Sequence, residues 1–136
     1  MSDDEALAFL VEMAGAPPFP AGEWWQIGIA DRANNGLIGD IGICVAADRC
    51  EAEIGFTLDR QSQGHGLGAE AVRGTARLLF AHTPVDRIIA ITDARNLATV
   101  RLLERIGMNK AETLNSLFRG EPCIEYRFVL DRRNRI

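Results

Sequence analysis

The sequence has few of the residues from which metal centres and disulfide frameworks are built. Among 136 residues it contains 3 cysteines and 2 histidines. Cys44, Cys50 and Cys123 are odd in number and lack the spacing of metal ligands, and His65 and His82 lie far apart in the chain. The sequence therefore predicts no metal site, and the unpaired cysteines indicate a reducing, cytoplasmic location.

Long apolar runs and an excess of positive charge are also missing. No run approaches the roughly 20 apolar residues of a membrane-spanning helix, and the acidic start, MSDDE, lacks the basic region of a signal peptide. Lysine and arginine number 15 against 19 aspartates and glutamates, a net charge of −4, which argues against a nucleic-acid-binding surface. We therefore expect neither a membrane nor a nucleic acid as partner.

What the chain does have is the composition of one folded domain. Hydrophobic residues make up 47% of the chain and charged residues 25%, which is ordinary for a globular protein. A chain of 136 residues is long enough to bury a core without disulfides or metals. We expect residues 1–136 to form a single domain.

The first half of the chain predicts a helix followed by an antiparallel meander. Ser2 and Glu5 form a helix-initiating capping box, and apolar residues recur at helical spacing up to residue 14. A proline-rich loop over 15–20 ends that helix. Alternating apolar residues then predict strands over Trp24–Ala30, over Leu37–Val45 and from residue 51 or 52 to Leu58.

The second half alternates helices with strands and ends in a hairpin. The predicted fold class is therefore α/β of the α+β type: a mixed, mostly antiparallel central sheet flanked by helices, with one central β-α-β unit. Gly107 is placed to cap the second of these helices, and the basic tail over 132–135 is expected to be solvated. Helices are predicted over 67–81 and 97–106, and strands over 85–92, 108–118 and 123–130.

A glycine-rich turn lies between the third predicted strand and the helix after it. Gly64, Gly66 and Gly68 stand at alternate positions, which lets the backbone adopt unusual dihedral angles and approach a ligand closely. The first turn of the helix offers unpaired N–H groups and the positive end of the helix dipole. The alternative is a connector that only turns the chain, but the pattern favours a site for a phosphate.

This turn matches two fingerprints, and the order of the elements disfavours one of them. Residues 64–69, GHGLGA, satisfy the dinucleotide-binding pattern G-x-G-x-x-A, and Asp93 closes the next predicted strand as an acidic ribose ligand would. A dinucleotide-binding fold places these glycines after its first strand, whereas a meander comes first here. Five polar residues over 59–63 also separate the strand from Gly64. A nicotinamide or flavin cofactor is therefore disfavoured.

The second fingerprint carries a family resemblance. Residues 63–68, QGHGLG, satisfy Q/R-x-x-G-x-G/A, and residues 96–108 resemble the segment N-x-x-S/T-x-x-L-x-E-x-x-G-F. Both are typical of the GNAT superfamily of acetyl-CoA-dependent N-acetyltransferases. The chain most resembles the branch of the ribosomal-protein N-terminal acetyltransferases, and the similarity runs from about residue 4 to residue 130.

The resemblance implies direct transfer of an acetyl group from acetyl-CoA, the co-substrate, to a primary amine. The acceptor stays open among a protein N-terminus, an amino acid and a small molecule such as an antibiotic. The implied catalytic groups are Glu53 as a base that acts directly or through water, Thr99 as a hydrogen-bond donor and Tyr126 as an acid. The implied cofactor-binding residues are Phe56, Thr57, Leu58, Gln63, Gly64, His65, Gly66, Leu67, Gly68, Ala69, Asn96, Thr99 and Arg101. The other role open to Asn96, compatible with the first, is that of N-cap of the second helix.

Two departures from the family pattern keep a second function open. The tyrosine that many relatives carry as general acid in the second helix is replaced by Leu103. The family usually begins with a further strand and helix, so we expect either an N-terminally shortened form or a start inside a longer product. The alternative to an enzyme is a non-catalytic acyl-CoA-binding or interaction module.

The same shortening would leave the strand Trp24–Ala30 at an edge of the sheet. This strand has no lysine, proline or charge to prevent pairing with another chain. We therefore expect a homodimer or higher oligomer, unless the opening helix or the proline loop covers the edge. Trp24 and Trp25 are candidates for the acceptor pocket, although Trp25 fits core packing better.

Overall fold

The computed structural model describes residues 22–30, 36–48, 50–58 and 66–134. The predicted opening helix and proline loop lie outside these residues, as do Gln63, Gly64 and His65 of the glycine turn. Every element predicted within the described ranges is confirmed, with bounds that differ by at most two residues. The elements are β1 (Trp24–Ala30), β2 (Leu37–Val45), β3 (Glu51–Leu58), α1 (Leu67–His82), β4 (Arg87–Asp93), α2 (Leu97–Arg105), β5 (Asn109–Phe118), β6 (Glu121–Asp131) and a short 3-10 turn, Arg132–Asn134.

One sheet contains all these strands, in the order β1-β2-β3-β4-β6-β5. Neighbouring strands run antiparallel except β3 and β4, which are parallel and therefore need a crossover connection, supplied by α1. The predicted mixed, mostly antiparallel sheet with a central β-α-β unit is confirmed. Among the described strands β1 lies at one edge, as expected, and its pairing with a second copy stays a prediction. Neither helix described here is both long and apolar enough to cross a membrane.

The parallel strands β3 and β4 separate halfway along their length. Their cross-strand pairs run from Glu51 opposite Arg87 to Ile54 opposite Ala90 and no further. Beyond that point β3 stays paired with β2, and β4 with β6, to the ends of both strands. Among the described residues, each main chain past Ile54 and Ala90 therefore has a strand neighbour on one side only. We call this opening the central break.

Side-chain alternation gives the sheet an apolar face and a polar face. The helices cover one face, called the core face, whose buried side chains form one hydrophobic cluster with those of the helices. The opposite face, called the second face, carries polar residues such as Glu53 and Arg127, which alternate with core residues along β3 and β6. The cluster includes Ile27, Ile41, Ile54, Ile88, Ala90 and Phe128 from the sheet, and Val72, Ala76, Leu79, Phe80 and Leu103 from the helices.

Helix α2 ends in a Schellman motif at the predicted glycine. Gly107 has φ 97°, a left-handed conformation that glycine adopts without steric cost. Its N–H donates to the carbonyl of Glu104 at 3.1 Å, and the N–H of Met108 donates to the carbonyl of Leu103 at 3.0 Å. These two bonds satisfy carbonyl groups that the end of a helix otherwise leaves unpaired. The prediction for Gly107 is confirmed.

Arg132 anchors the end of the described chain, where the sequence analysis expected a solvated tail. Its Nε donates to the carbonyl of Val85 at 2.9 Å. The two terminal nitrogens donate to the carbonyls of Phe80 and Thr83, each at 2.8 Å. Because Phe80 lies in the last turn of α1 and Thr83 caps it, the guanidinium meets the negative end of the helix dipole. The guanidinium also lies 5.0 Å from the centre of the Phe80 ring.

Replacing Arg132 should destabilise the fold measurably. Arg132→Met keeps the aliphatic stem but removes three charge-assisted hydrogen bonds, so we expect the free energy of unfolding to fall by about 1–3 kcal/mol. The matched control is Arg133→Met, because Arg133 is exposed and lies next to Arg132. Urea unfolding of the two variants and the wild type gives the comparison. Equal losses in both variants would show that Arg132 does not anchor the fold.

Candidate functional site

A cavity of about 400 Å³ lies on the core face, where the end of β3 meets the starts of α1 and α2. Most of the cofactor-binding residues predicted from the sequence line it. Leu67, which was also predicted, does not line it and instead packs against the core cluster. The lining residues are Phe56, Thr57, Leu58, Gly66, Gly68, Ala69, Asn96, Ala98, Thr99, Arg101, Leu102 and Arg105.

The glycines at the start of α1 keep this cavity open. Gly66 precedes the helix with φ 79°, and a Cβ atom placed there would meet no atom within 4 Å. A Cβ atom at Gly68 would lie 2.8 Å from a methyl carbon of Leu102 in α2, so a larger residue would push the helices apart. The N–H groups of the first turn of α1 have no acceptor within the helix. A ligand with negative charge would therefore meet both open space and donors at this end.

Helix α2 contributes one face to the cavity. Ala98, Arg101, Leu102 and Arg105 line it, and this spacing of three and four residues places them on one side of the helix. Sequence reasoning found Arg101 but missed Arg105. The repeat of arginine after four residues was the available signal, since it brings two positive charges to the same face.

Asn96 and Thr99 are fixed together at the start of α2. The side-chain oxygen of Asn96 accepts the N–H of Thr99 at 3.2 Å, which makes Asn96 the N-cap of the helix. Both residues line the cavity. The sequence analysis placed Asn96 at the cofactor with a capping role as the other possibility, and the structure confirms the cap.

Glu53 lies on the second face, next to the last paired residue of β3. It is half-buried between Cys44 of β2 and Ile89 of β4 in the register of the sheet. Burial raises the pKa of its carboxyl above the ordinary value of 4.5, the carboxylates of Glu51 and Glu125 raise it further, and Arg127 opposes the shift. A raised pKa makes this carboxylate, at the edge of the central break, a stronger base than an exposed glutamate.

The basic groups near Glu53 are already paired with other carboxylates. Arg127 bonds Glu112 at 2.9 Å and lies 3.6 Å from Glu51, which also accepts a hydrogen bond from Arg87 at 2.9 Å. These groups surround a second, shallow cavity of about 510 Å³ on the second face. Arg127 therefore compensates the charge of Glu53 only in part.

A further ion pair lies where β4 ends. Arg95 donates to both carboxyl oxygens of Asp93, at 3.0 and 2.8 Å. The side-chain and backbone hydrogen bonds from Arg95 lower the pKa of Asp93 to about 2. No three histidine, cysteine, aspartate or glutamate side chains in the described part of the chain are grouped closely enough to hold a metal ion.

Tyr126 lies on the face of the sheet opposite to Glu53. It pairs with Thr92 and alternates with Glu125 along β6, which places it on the core face, opposite to Glu53. Its ring packs edge-on to Phe128, with the centres 6.4 Å apart, and the ammonium of Lys110 lies 4.1 Å from its centre. Tyr126 does not line the cavity. Its role as an acid stays a prediction.

The comparisons with known proteins agree with this geometry. Residues 1–109 match the family described as "Acetyltransferase (GNAT) domain". The chain belongs to the GNAT acetyltransferase family. It is 32% identical over 90 residues to the "Probable N-acetyltransferase YjcK" of Bacillus subtilis strain 168, an alignment that covers 65% of this chain and 50% of that protein. The chain thus spans about half the length of this curated relative, and 36% of a second one, the uncharacterised YkkB of the same organism.

Solved structures show the same fold at low sequence identity. A GNAT-family acetyltransferase from Bacillus anthracis superposes with a TM-score of 0.74 at 23% identity, covering 79% of this chain and 66% of that one. RimL, a ribosomal L7/L12 alpha-N-protein acetyltransferase solved with coenzyme A, superposes with a TM-score of 0.74 at 15% identity. That alignment covers 83% of this chain and 64% of RimL. The fold class predicted from the sequence is confirmed by both.

The raised pKa of Glu53 should make the fold less stable as the pH rises. Because this pKa is higher in the folded than in the unfolded chain, the folded chain binds more protons between the two values, and the free energy of unfolding falls as the pH rises through them. Glu53→Gln has no proton to lose, so the wild type should lose stability relative to the variant from about pH 4 upward. Urea unfolding of both chains between about pH 4 and about pH 7 measures the difference. A difference that does not change with pH would contradict the raised pKa.

Proposed function

We propose that this chain binds acetyl-CoA and transfers its acetyl group to a primary amine by direct attack. The observation that carries the proposal is the central break, which adjoins the cavity on the core face and Glu53 on the second face. Past the break, among the described residues, β3 and β4 each have a strand neighbour on one side only. An extended ligand that contains amide groups could bind between them as an added strand. The pantetheine arm of acetyl-CoA is such a ligand.

The phosphates of the cofactor fit the end of the cavity that α1 and α2 form. Gly66 and the first-turn N–H groups of α1 supply donors without a side chain in the way. Arg101 and Arg105 add two positive charges from α2. Gln63, Gly64 and His65, outside the described residues, remain proposed partners of the pyrophosphate.

The residues at the break have separate chemical tasks in this proposal. Glu53, directly or through water, removes the proton from the attacking amine. A C–N bond then forms, the C–S bond breaks, and the sulfur leaves as the thiolate of coenzyme A. Asn96 and Thr99 at the start of α2 hold the pantetheine arm and donate toward the thioester.

The finer assignments rest on the same proposal. The acceptor stays open among a protein N-terminus, the type that the name of RimL describes, an amino acid and a small-molecule amine. A cytoplasmic location also stays a prediction. One observation favours a non-catalytic acyl-CoA-binding module instead: Leu103, which stands where relatives carry an acidic tyrosine, is fully buried and offers no proton. Acetyl-CoA binding without turnover on any amine would favour that alternative.

Gly66→Val should abolish the stabilisation of the fold by acetyl-CoA. A ligand that binds only the folded chain raises Tm, and valine at residue 66 would strain a backbone with φ 79° and fill the open end of the cavity. The matched control is Gly120→Val, because Gly120 has φ 81° and open surroundings but lies in the β5–β6 turn. Thermal unfolding should show a Tm increase with acetyl-CoA in the wild type and Gly120→Val only. Equal increases in all three chains would refute the site.

Glu53→Gln should lower the rate and leave cofactor binding intact. Loss of a general base costs about 10²–10⁴-fold, so we expect kcat to fall at least about 10²-fold while KM for acetyl-CoA is unchanged. In the wild type, the acid limb of the pH profile of kcat/KM should lie above 4.5, the ordinary pKa of glutamate, and it should disappear in the variant. Glu125→Gln is the parallel variant. Full activity of Glu53→Gln would assign the proton transfer to Glu125 or to water.

A further inference from the structure

We infer that Trp24 and Gly55 form the acceptor subsite on the second face, and that this subsite takes an unbranched primary amine whose far end is positively charged. This inference rests on the proposed acetyl transfer and names its substrate class. The cofactor cavity lies on the core face, so an acceptor that approaches Glu53 must come from the second face. The residues of β1, β2 and β3 on that face therefore decide which amine fits.

The floor of the subsite has no side chain next to the central break. Gly42 and Gly55 are cross-strand neighbours on the second face, and Gly55 follows Ile54, the last residue of β3 that pairs with β4. A Cβ atom at Gly55 would meet no atom within 4 Å. A slender chain could therefore lie on the main chain of Gly55 and bring its amine to the break.

Trp24 forms one wall of this subsite. The edge of its ring lies 3.4 to 3.5 Å from the position of a Cβ atom at Gly42, and Nε2 of Gln26 lies 3.0 Å from the same position, so both side chains lean over that glycine. The side chain is nevertheless 54% exposed, which leaves ring surface for a ligand. In the register of the sheet, Trp24 and Glu53 flank Cys44, so two strand spacings of about 4.8 Å separate them. Trp25, by contrast, packs against the core cluster.

The charges around the floor select a cation. The strands β1, β2 and β3 carry the carboxylates Asp40, Glu51 and Glu53 and contain no lysine, arginine or histidine. Asp40 accepts a hydrogen bond from Thr57 at 2.5 Å, which holds its carboxylate beside the floor. Arg87 is bound to Glu51 across the β3–β4 pair. An ammonium group would meet the carboxylate of Asp40, an aromatic face, and the carboxylate of Glu53, which Arg127 compensates only in part. A carboxylate on the acceptor would be repelled.

The length of the subsite fits a short aliphatic chain. Two strand spacings, about 10 Å, separate Glu53 from Trp24, and a cation–π contact extends to about 6 Å from the centre of the ring. A diamine with one nitrogen at Glu53 and the other at the Trp24 ring therefore needs at least about 4 Å between its nitrogens. Four methylene groups meet this requirement.

Three amines of equal chain length test the inference. 1,4-Diaminobutane, n-butylamine and 4-aminobutyrate differ only in the charge at the far end. With acetyl-CoA as donor, kcat/KM should fall in that order, with about tenfold or more between the first and the last. Trp24→Leu should lower kcat/KM for the diamine about 5- to 10-fold and change that for n-butylamine little, while Trp24→Phe should restore part of the loss. The control Phe118→Leu replaces another exposed aromatic residue, in the β5–β6 hairpin, and should have no effect.

Gly55→Val provides a second readout. Valine is favoured in strands and nothing lies within 4 Å of its Cβ position, so the chain should fold and keep its Tm increase with acetyl-CoA. KM for all three amines should rise. Three outcomes would overturn the acceptor subsite alone. The first is a preference for 4-aminobutyrate, and the second is transfer that neither Trp24→Leu nor Gly55→Val affects. The third is transfer to peptide N-termini but to none of the three amines. Absence of transfer to any amine in a broad panel would instead overturn the proposed function.

Discussion

The separation of β3 from β4 is the constraint on which the rest of the structure depends. Both strands keep an outer neighbour to their ends, so neither frays where the pairing between them stops at Ile54 and Ala90. Backbone N–H and C=O groups near a protein core are costly to leave without partners. In the proposed function, a ligand that pairs with the main chain at the break offsets this cost.

Successive side chains of β3 point to opposite faces of the sheet, which divides the proposed chemistry between the two faces. Phe56 and Leu58 line the cavity on the core face, and Glu53 and Gly55 lie on the second face of the same strand. In the proposed reaction, one short strand thus serves two ligands that meet only at the break. A shift of its register by one residue would exchange these side chains and remove both functions together.

Local sequence signals predicted those features that depend on neighbouring residues. The Schellman glycine Gly107 and the N-cap Asn96 follow from chemistry within one turn of a helix, and the structure has both. Contacts between distant residues were not predictable in this way. Arg132 reaches carbonyls 47 to 52 residues away in the sequence, and the face on which Tyr126 lies follows from the register of β6, which is irregular against β5. The pattern of the chain predicts elements well, but register decides which side chains meet.

The electrostatic balance at Glu53 makes its carboxylate more basic than that of an exposed glutamate. Burial and the carboxylates of Glu51 and Glu125 disfavour its ionised form, and Arg127 favours it. Because Arg127 is shared with Glu112 and Glu51, it cannot form a tight pair with Glu53 that would hold the carboxylate permanently charged and weakly basic. An incoming ammonium would be drawn to the same carboxylates, and its approach would favour the ionised form that accepts the proton. For the proposed acceptor, its positive charge and the basicity of Glu53 are therefore coupled through the same group of side chains.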